Sequence, residues 1–123
     1  MANAVNWFEL PVNNMERAIE FYNNILGINL SKASNGPMEM AMFAADHENY
    51  GACGALVKAD GYNPADSGSI VYLNGGEDLS DPLNRVESAG GKVVMPKTSI
   101  GENGFIAHFI DSEGNRVALH SMK

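Results

Sequence analysis

The sequence predicts an α+β fold of two similar halves, on three observations. The order of hydrophobic patterns repeats, each half opens with an alternating strand followed by an amphipathic helix, and a polar segment divides them. The 123 residues fit one domain, 1–123, with a first module over about 4–60, a linker over about 61–68 and a second module over about 69–123.

In VNWFELPV, Phe8, Leu10 and Val12 fall on one face and Trp7 and Glu9 on the other, the period of a half-buried strand, with Pro11 near its end. Met15, Ala18, Ile19, Tyr22, Ile25 and Leu26 then recur at helical spacing. Asn14 is placed to cap that helix, Glu16 lies in its first turn, and Gly27 falls just past its end. INLSKASNGPMEMAMFAA reads as two strands joined at Asn35-Gly36-Pro37, and ACGALVKA as one more. DGYNPADSG has the composition of a connecting loop.

SIVYLN opens the second half as a strand. A helix follows with Asp81 as N-cap, Pro82 at the first helical position and Leu83, Val86 and Ala89 on one face, ended by Gly90 and Gly91. KVVMP, GFIAHFID and NRVALHS complete the half as strands, with DSEGN the clearest turn. Two such halves each leave one sheet face bare, so they gain by sharing a sheet or cupping a cavity; chance likeness within an ordinary α+β domain is the competing reading.

Composition narrows the function classes. A net charge of −7, with Lys and Arg scattered, repels phosphate backbones, so nucleic acid is not an expected partner. The acidic balance suits a cationic ligand, although it also serves plain solubility. No run approaches the roughly 20 apolar residues that span a bilayer, and the N-terminus lacks a signal-peptide pattern. A single cysteine, Cys53, forms no internal disulfide and no cysteine-built zinc site, so the cytoplasm is the expected compartment and no membrane role is expected.

The run ELPVNNMERAIEFYNNILG resembles the opening of vicinal-oxygen-chelate proteins, the glyoxalase, bleomycin-resistance and ring-cleaving dioxygenase superfamily. VESAGGKVVMPKTSIG and GFIAHFIDSEGNRVALHS resemble its closing half, through the AGG-K-V turn and the D-x-E-G-N hairpin. The resemblance covers most of the chain. It implies tandem βαβββ modules forming a cupped mixed sheet, a homodimer, and a small-molecule site inside the cup. In metal-using members the ligands come from the first strand of each module and from strands near each module's end. Matched onto this chain, those positions fall on Trp7, Ser69 and Ala118, with the remaining one around Cys53 to Ala55. Neither indole nor an alanine methyl offers a lone pair to a divalent ion. The expectation is therefore a site without metal or other cofactor.

Other chemistry-bearing residues share the same faces. Glu9, two residues beyond Trp7, points into the expected cup, where it is a candidate general base or ligand anchor; a wet-rim or paired carboxylate is the alternative. Alternation also sends His108 and His120 inward as acid, base or hydrogen-bonding groups, against the plainer role of satisfied buried imidazoles. Met38, Met40 and Met42 form a thioether stripe that either lines an adaptable pocket, with Met40 touching ligand, or fills core. Trp7 either stacks on a ligand or fills space, and His47 is expected on a surface loop. A metal site rebuilt from Glu9, His108 and His120 lacks any tight motif. The leading expectation is a metal-independent small-molecule-binding protein with Trp7, Glu9, Ser69, Met40, His108 and His120 around the ligand. Its rivals are a glyoxalase-like lyase or isomerase using Glu9 and His108, or an atypical metal, and an assembly module with a filled cup.

Overall fold

The computed structural model describes residues 4–43 and 51–123. His47 lies outside the described residues. Strand β1 (Trp7–Pro11) leads into helix α1 (Met15–Leu26), followed by β2 (Ser31–Asn35), β3 (Met38–Met42) and β4 (Cys53–Lys58). The second half repeats this order with β5 (Tyr72–Asn74), the short helix α2 (Ser80–Leu83), β6 (Lys92–Ser99), β7 (Phe105–Ile110) and β8 (Arg116–Ser121), with a 3-10 turn at Gly101–Asn103. Each half is a four-stranded mixed sheet, in the orders β1-β4-β3-β2 and β5-β8-β7-β6. In each, the first strand runs parallel to the last and the other pairs are antiparallel. The expected α+β fold of two βαβββ modules is therefore present.

Local chemistry accounts for α1. The Asn14 side chain accepts from the Arg17 amide at 3.1 Å, and Gly27 turns the chain with φ 65°, a conformation that costs a residue bearing a Cβ. Its buried residues are Met15, Ala18, Phe21, Tyr22 and Ile25. This set is wider than a single stripe because the helix is covered on two sides. α1 packs against β3 and β4. The Phe21 ring lies 5.9 Å from that of Phe109 on β7, while Tyr22 lies 6.0 Å from Phe43, just beyond β3. β3, β4 and β7 are inner strands of different sheets, so a helix that reaches all three is wedged between the sheets' inner faces. Accordingly, one hydrophobic cluster draws Leu10, Ala41 and Leu56 from the first sheet and Ala107, Phe109 and Leu119 from the second.

A polar latch ties the modules together. Asp111 Oδ2 accepts from the Tyr22 hydroxyl at 2.6 Å and from Asn115 Nδ2, while Oδ1 accepts the amides of Glu113 and Asn115 at 2.9 Å. Glu113 accepts the Asn13 and Asn14 amides at 2.8 Å and pairs with Arg17 at 2.7 Å. These contacts satisfy donors at the start of α1 with a carboxylate, the charge that the helix N-terminus favours. The DSEGN segment is thus a turn, as expected, and also the bond between halves.

The second module departs from its expected boundaries. β5 begins at Tyr72, so Ser69 lies outside the strand and is exposed. The preceding chain still borders β8, through the carbonyls of Ala65 and Val71. The expected second helix is a single α-helical turn, and its chain continues in tighter turns to Gly90. Asp81 lies within that turn rather than capping it. The cap position falls on Leu79, which has no capping side chain, and Asp78 just before it accepts at Oδ1 from the Ser80 amide and from Lys97 Nζ, both at 2.9 Å. No helix among the described residues is long and apolar enough to cross a membrane.

Candidate functional site

Strand alternation gives each sheet an inner face on α1 and an outer face away from it. Phe8 and Leu10 turn inward and Trp7 and Glu9 outward; on β7, Ala107 and Phe109 turn inward and His108 outward. Because α1 separates the sheets, the two outer faces point away from each other. Glu9 and His108 therefore do not meet across a cup within one chain.

On the first outer face, Glu9 is braced at both oxygens. Trp7 Nε1 donates to Oε2 at 3.2 Å and the Tyr62 hydroxyl donates to Oε1 at 3.1 Å. The bond to Glu9 raises the Tyr62 pKa, so the phenol stays protonated and remains the donor. Trp7 is 42% exposed, leaving ring surface open beside the carboxylate. The register extends this face through Ala55 to Met42, and through Val57 to Met40. Of the expected alternatives for the methionines, core filling gives way: Ala41 enters the core, while Met38, Met40 and Met42 stand half-buried on the face of Glu9.

On the second outer face, His108 is 6% exposed and bonded at both nitrogens. Arg116 Nε lies 3.0 Å from Nδ1, and the Tyr72 oxygen lies 2.9 Å from Nε2. A guanidinium can only donate, so Nδ1 must accept, which fixes the proton of the neutral ring on Nε2. Burial, and then the charge of Arg116, lower the imidazole pKa and hold the ring neutral. Ala118 stands opposite both Tyr72 and His108 in the strand register. His120 shares the face but pairs with Ile106, and its Nε2 meets the Asn103 carbonyl at 2.5 Å, away from His108.

These positions do not suit a divalent metal. The register partner of Ala118 on the module's first strand is Tyr72, not Ser69, and its oxygen is already engaged by His108. In the first module, the corresponding pairs are Trp7 with Cys53 and Glu9 with Ala55. An indole, a methyl and a lone thiol or carboxylate do not make up the three or more converging donors that such an ion needs.

Two surface clefts lie near these elements. One of about 500 Å³ is lined by Met38, Glu39, Lys58 and Tyr62, so it adjoins the Glu9 face. A larger one of about 540 Å³, lined by Phe8, Leu26, Phe43, Leu73 and Arg85, opens on the helix side. There the Arg85 guanidinium is occupied by the Asn24 and Ile25 carbonyls at the end of α1, a structural use.

Three members of these constellations escaped the sequence reading. Tyr62 sits in an aperiodic linker that carries no local signal. Tyr72 and Arg116 were legible, since alternation puts Tyr72 on a face with Asn74 and Arg116 on a face with Ala118 and His120.

The family model described as the Glyoxalase/Bleomycin resistance protein/Dioxygenase superfamily matches residues 4–119. A glyoxylase-like domain-containing protein of Didymella fabae is 28% identical over 119 residues, which are 94% of this chain and 91% of that protein. Among solved structures, glyoxalase I from Zea mays is 25% identical with a TM-score of 0.66, covering 94% of this chain but 45% of the maize chain. The antibiotic binding protein TnmS3 from Streptomyces is 24% identical with a TM-score of 0.63, covering 97% of this chain and 95% of that one. With its two βαβββ modules and a family match across nearly its whole length, the chain belongs to the Glyoxalase/Bleomycin resistance protein/Dioxygenase superfamily.

Proposed function

We propose that this protein binds a small cationic organic molecule without a metal, on the face built by Trp7, Glu9, Tyr62 and Met40, and that a second copy of the chain closes the cavity. The observation that carries the reading is the Glu9 carboxylate, held by two aromatic donors beside an indole that keeps 42% of its surface exposed. A carboxylate next to an open aromatic face suits an ammonium ligand, through charge and through the ring quadrupole. The methionine stripe supplies adaptable apolar walls. The fold shared with an antibiotic binding protein is consistent with binding as the function.

The outward direction of the faces supports closure by a second copy. β1 and β5 are edge strands, and Trp7 and Tyr72 on them are 42% and 45% exposed. A two-fold partner would set one chain's Glu9 face toward the other's His108 face and enclose the space between them, as an isologous interface requires. Sedimentation should then give twice the 13.2 kDa chain mass; a monomer at working concentrations would remove the closing partner.

Trp7 is the only tryptophan, so its fluorescence reports directly on the site. Titration with benzyltrimethylammonium should change that emission saturably, and Glu9→Gln should weaken the binding about tenfold, the scale of one charge-assisted contact. An unchanged affinity in Glu9→Gln would rule out the carboxylate as the anchor. The acid–base alternative loses ground because the only free nitrogen lone pair of neutral His108 is already taken by Arg116.

A further inference from the structure

On the second outer face we infer that Tyr72, His108 and Arg116 form a recognition triad for an anionic oxygen, a carboxylate carried by a small apolar or aromatic molecule. The inference rests on the reading that the outer faces hold ligand, and it adds a substrate feature that the Glu9 face does not imply.

Arg116 Nε donates to His108 Nδ1 at 3.0 Å, so the imidazole proton sits on Nε2 and is donated to the Tyr72 oxygen at 2.9 Å. The Tyr72 oxygen thus accepts from the ring, and its own proton is left to donate elsewhere. Tyr72 is 45% exposed while His108 behind it is 6% exposed, so the donor end of the relay is the end a ligand can reach. The rings are also fixed in place, with centroids 5.4 Å apart at an interplanar angle of 78°. Each link polarises the next, and the cation at the far end strengthens the final donor toward negative charge.

The surroundings select the sign of the ligand. The strand register puts Lys92, Arg116 and two histidines on this face and no carboxylate on those strands, in a chain with 15 acidic and 8 basic residues. Ile106 and Ile110, both partly exposed, provide apolar surface on the same face. A single donor proton within a cationic, largely apolar face matches one carboxylate oxygen on an otherwise apolar body. Tyr72 is then a specificity-determining residue, and His108 and Arg116 position it.

Benzoate, benzamide and benzyltrimethylammonium separate the possibilities when binding is followed by NMR of the His108 imidazole and of the Trp7 indole. Benzoate should shift the His108 signals more strongly than the neutral benzamide does, and Tyr72→Phe should weaken benzoate about tenfold while leaving benzyltrimethylammonium at Trp7 unchanged. Nitrogen shifts should report the Nε2–H tautomer in the unaltered protein, and Arg116→Met should abolish that preference and weaken benzoate severalfold. Equal benzoate affinity in Tyr72→Phe, no benzoate binding, or an Nδ1–H tautomer would overturn the triad, leaving the Glu9 reading intact if the ammonium still binds. Silence of both probes would bring down both.

Discussion

Replacing Glu113 with alanine is expected to destabilise the protein more than any substitution on the outer faces. The Glu113 side chain is fully buried and accepts two backbone amides at 2.8 Å, and it joins the second module's turn to the start of α1. Its loss leaves those two amides without their acceptor, at roughly 1 kcal/mol or more each where water cannot fully replace it. It also removes a favourable charge at a helix N-terminus, about another 0.5–1 kcal/mol. The sum is about 3 kcal/mol, which for a domain of this size lowers the melting temperature by roughly 10 °C. Glu113→Gln keeps the shape and should lose about half as much.

The pH dependence supplies a second signature of this latch. Burial works to raise the Glu113 pKa, but hydrogen bonds from Arg17, the Asn14 and Asn13 amides and Ser112 outweigh it and hold it below the usual 4.5. A depressed carboxylate stabilises the fold fully above its unfolded pKa and loses that contribution as pH falls through the folded value. Urea unfolding at pH 7 and at successive steps below pH 5 should therefore show Glu113→Gln with a smaller acid loss than the unaltered protein. A destabilisation under about 0.5 kcal/mol in Glu113→Ala, together with identical acid limbs, would refute the latch.

Other outcomes follow from the same geometry. Phe21→Ala, which removes the ring packed between the sheets, should cost roughly 3–5 kcal/mol in urea unfolding; a loss near that of a surface change would mean that α1 is not wedged. His108 should titrate below the ordinary imidazole value of 6.5, because burial and then Arg116 disfavour its cation. Its contribution to stability is present above that value and fades as pH falls through the folded pKa. Arg116→Met should raise the NMR titration midpoint, and a midpoint above 6.5 in the unaltered protein would contradict the neutral, doubly bonded ring.

What the sequence disclosed divides along a physical line. Features set by local rules were readable: the Asn14 cap, the Gly27 stop, the Gly36-Pro37 hairpin, and the alternation that sends Glu9 and His108 to one kind of face. Features set by long-range register were not. Ser69 was read as strand because it heads the run Ile70–Leu73, yet parallel pairing with β8 covers only Tyr72–Asn74. Phe21 fell outside the helix stripe because stripe logic assumes one buried side, and α1 has two. Glu113 and Arg17 are 96 residues apart, so no spacing could announce their pairing. In the second helix, Asp78, Ser80 and Asp81 all have cap chemistry, yet the cap position falls on Leu79 between them, and Asp78 is held by Lys97 across the fold.

The same distinction applies to the site. Trp7, Glu9, His108 and Met40 were picked out by face, and each stands on an outer face. Face alone does not tell which sheet lies opposite which, and the wedge of α1 sets Glu9 and His108 on opposite sides of the chain.

The central claim is that ligand binds the outer face around Trp7 and Glu9, and amide and side-chain NMR during titration with benzyltrimethylammonium tests it most directly. Shifts gathered at Trp7, Glu9, Tyr62 and Met40 are the predicted result; shifts gathered instead at Leu26, Leu73 and Arg85, around the helix-side cleft, would contradict it.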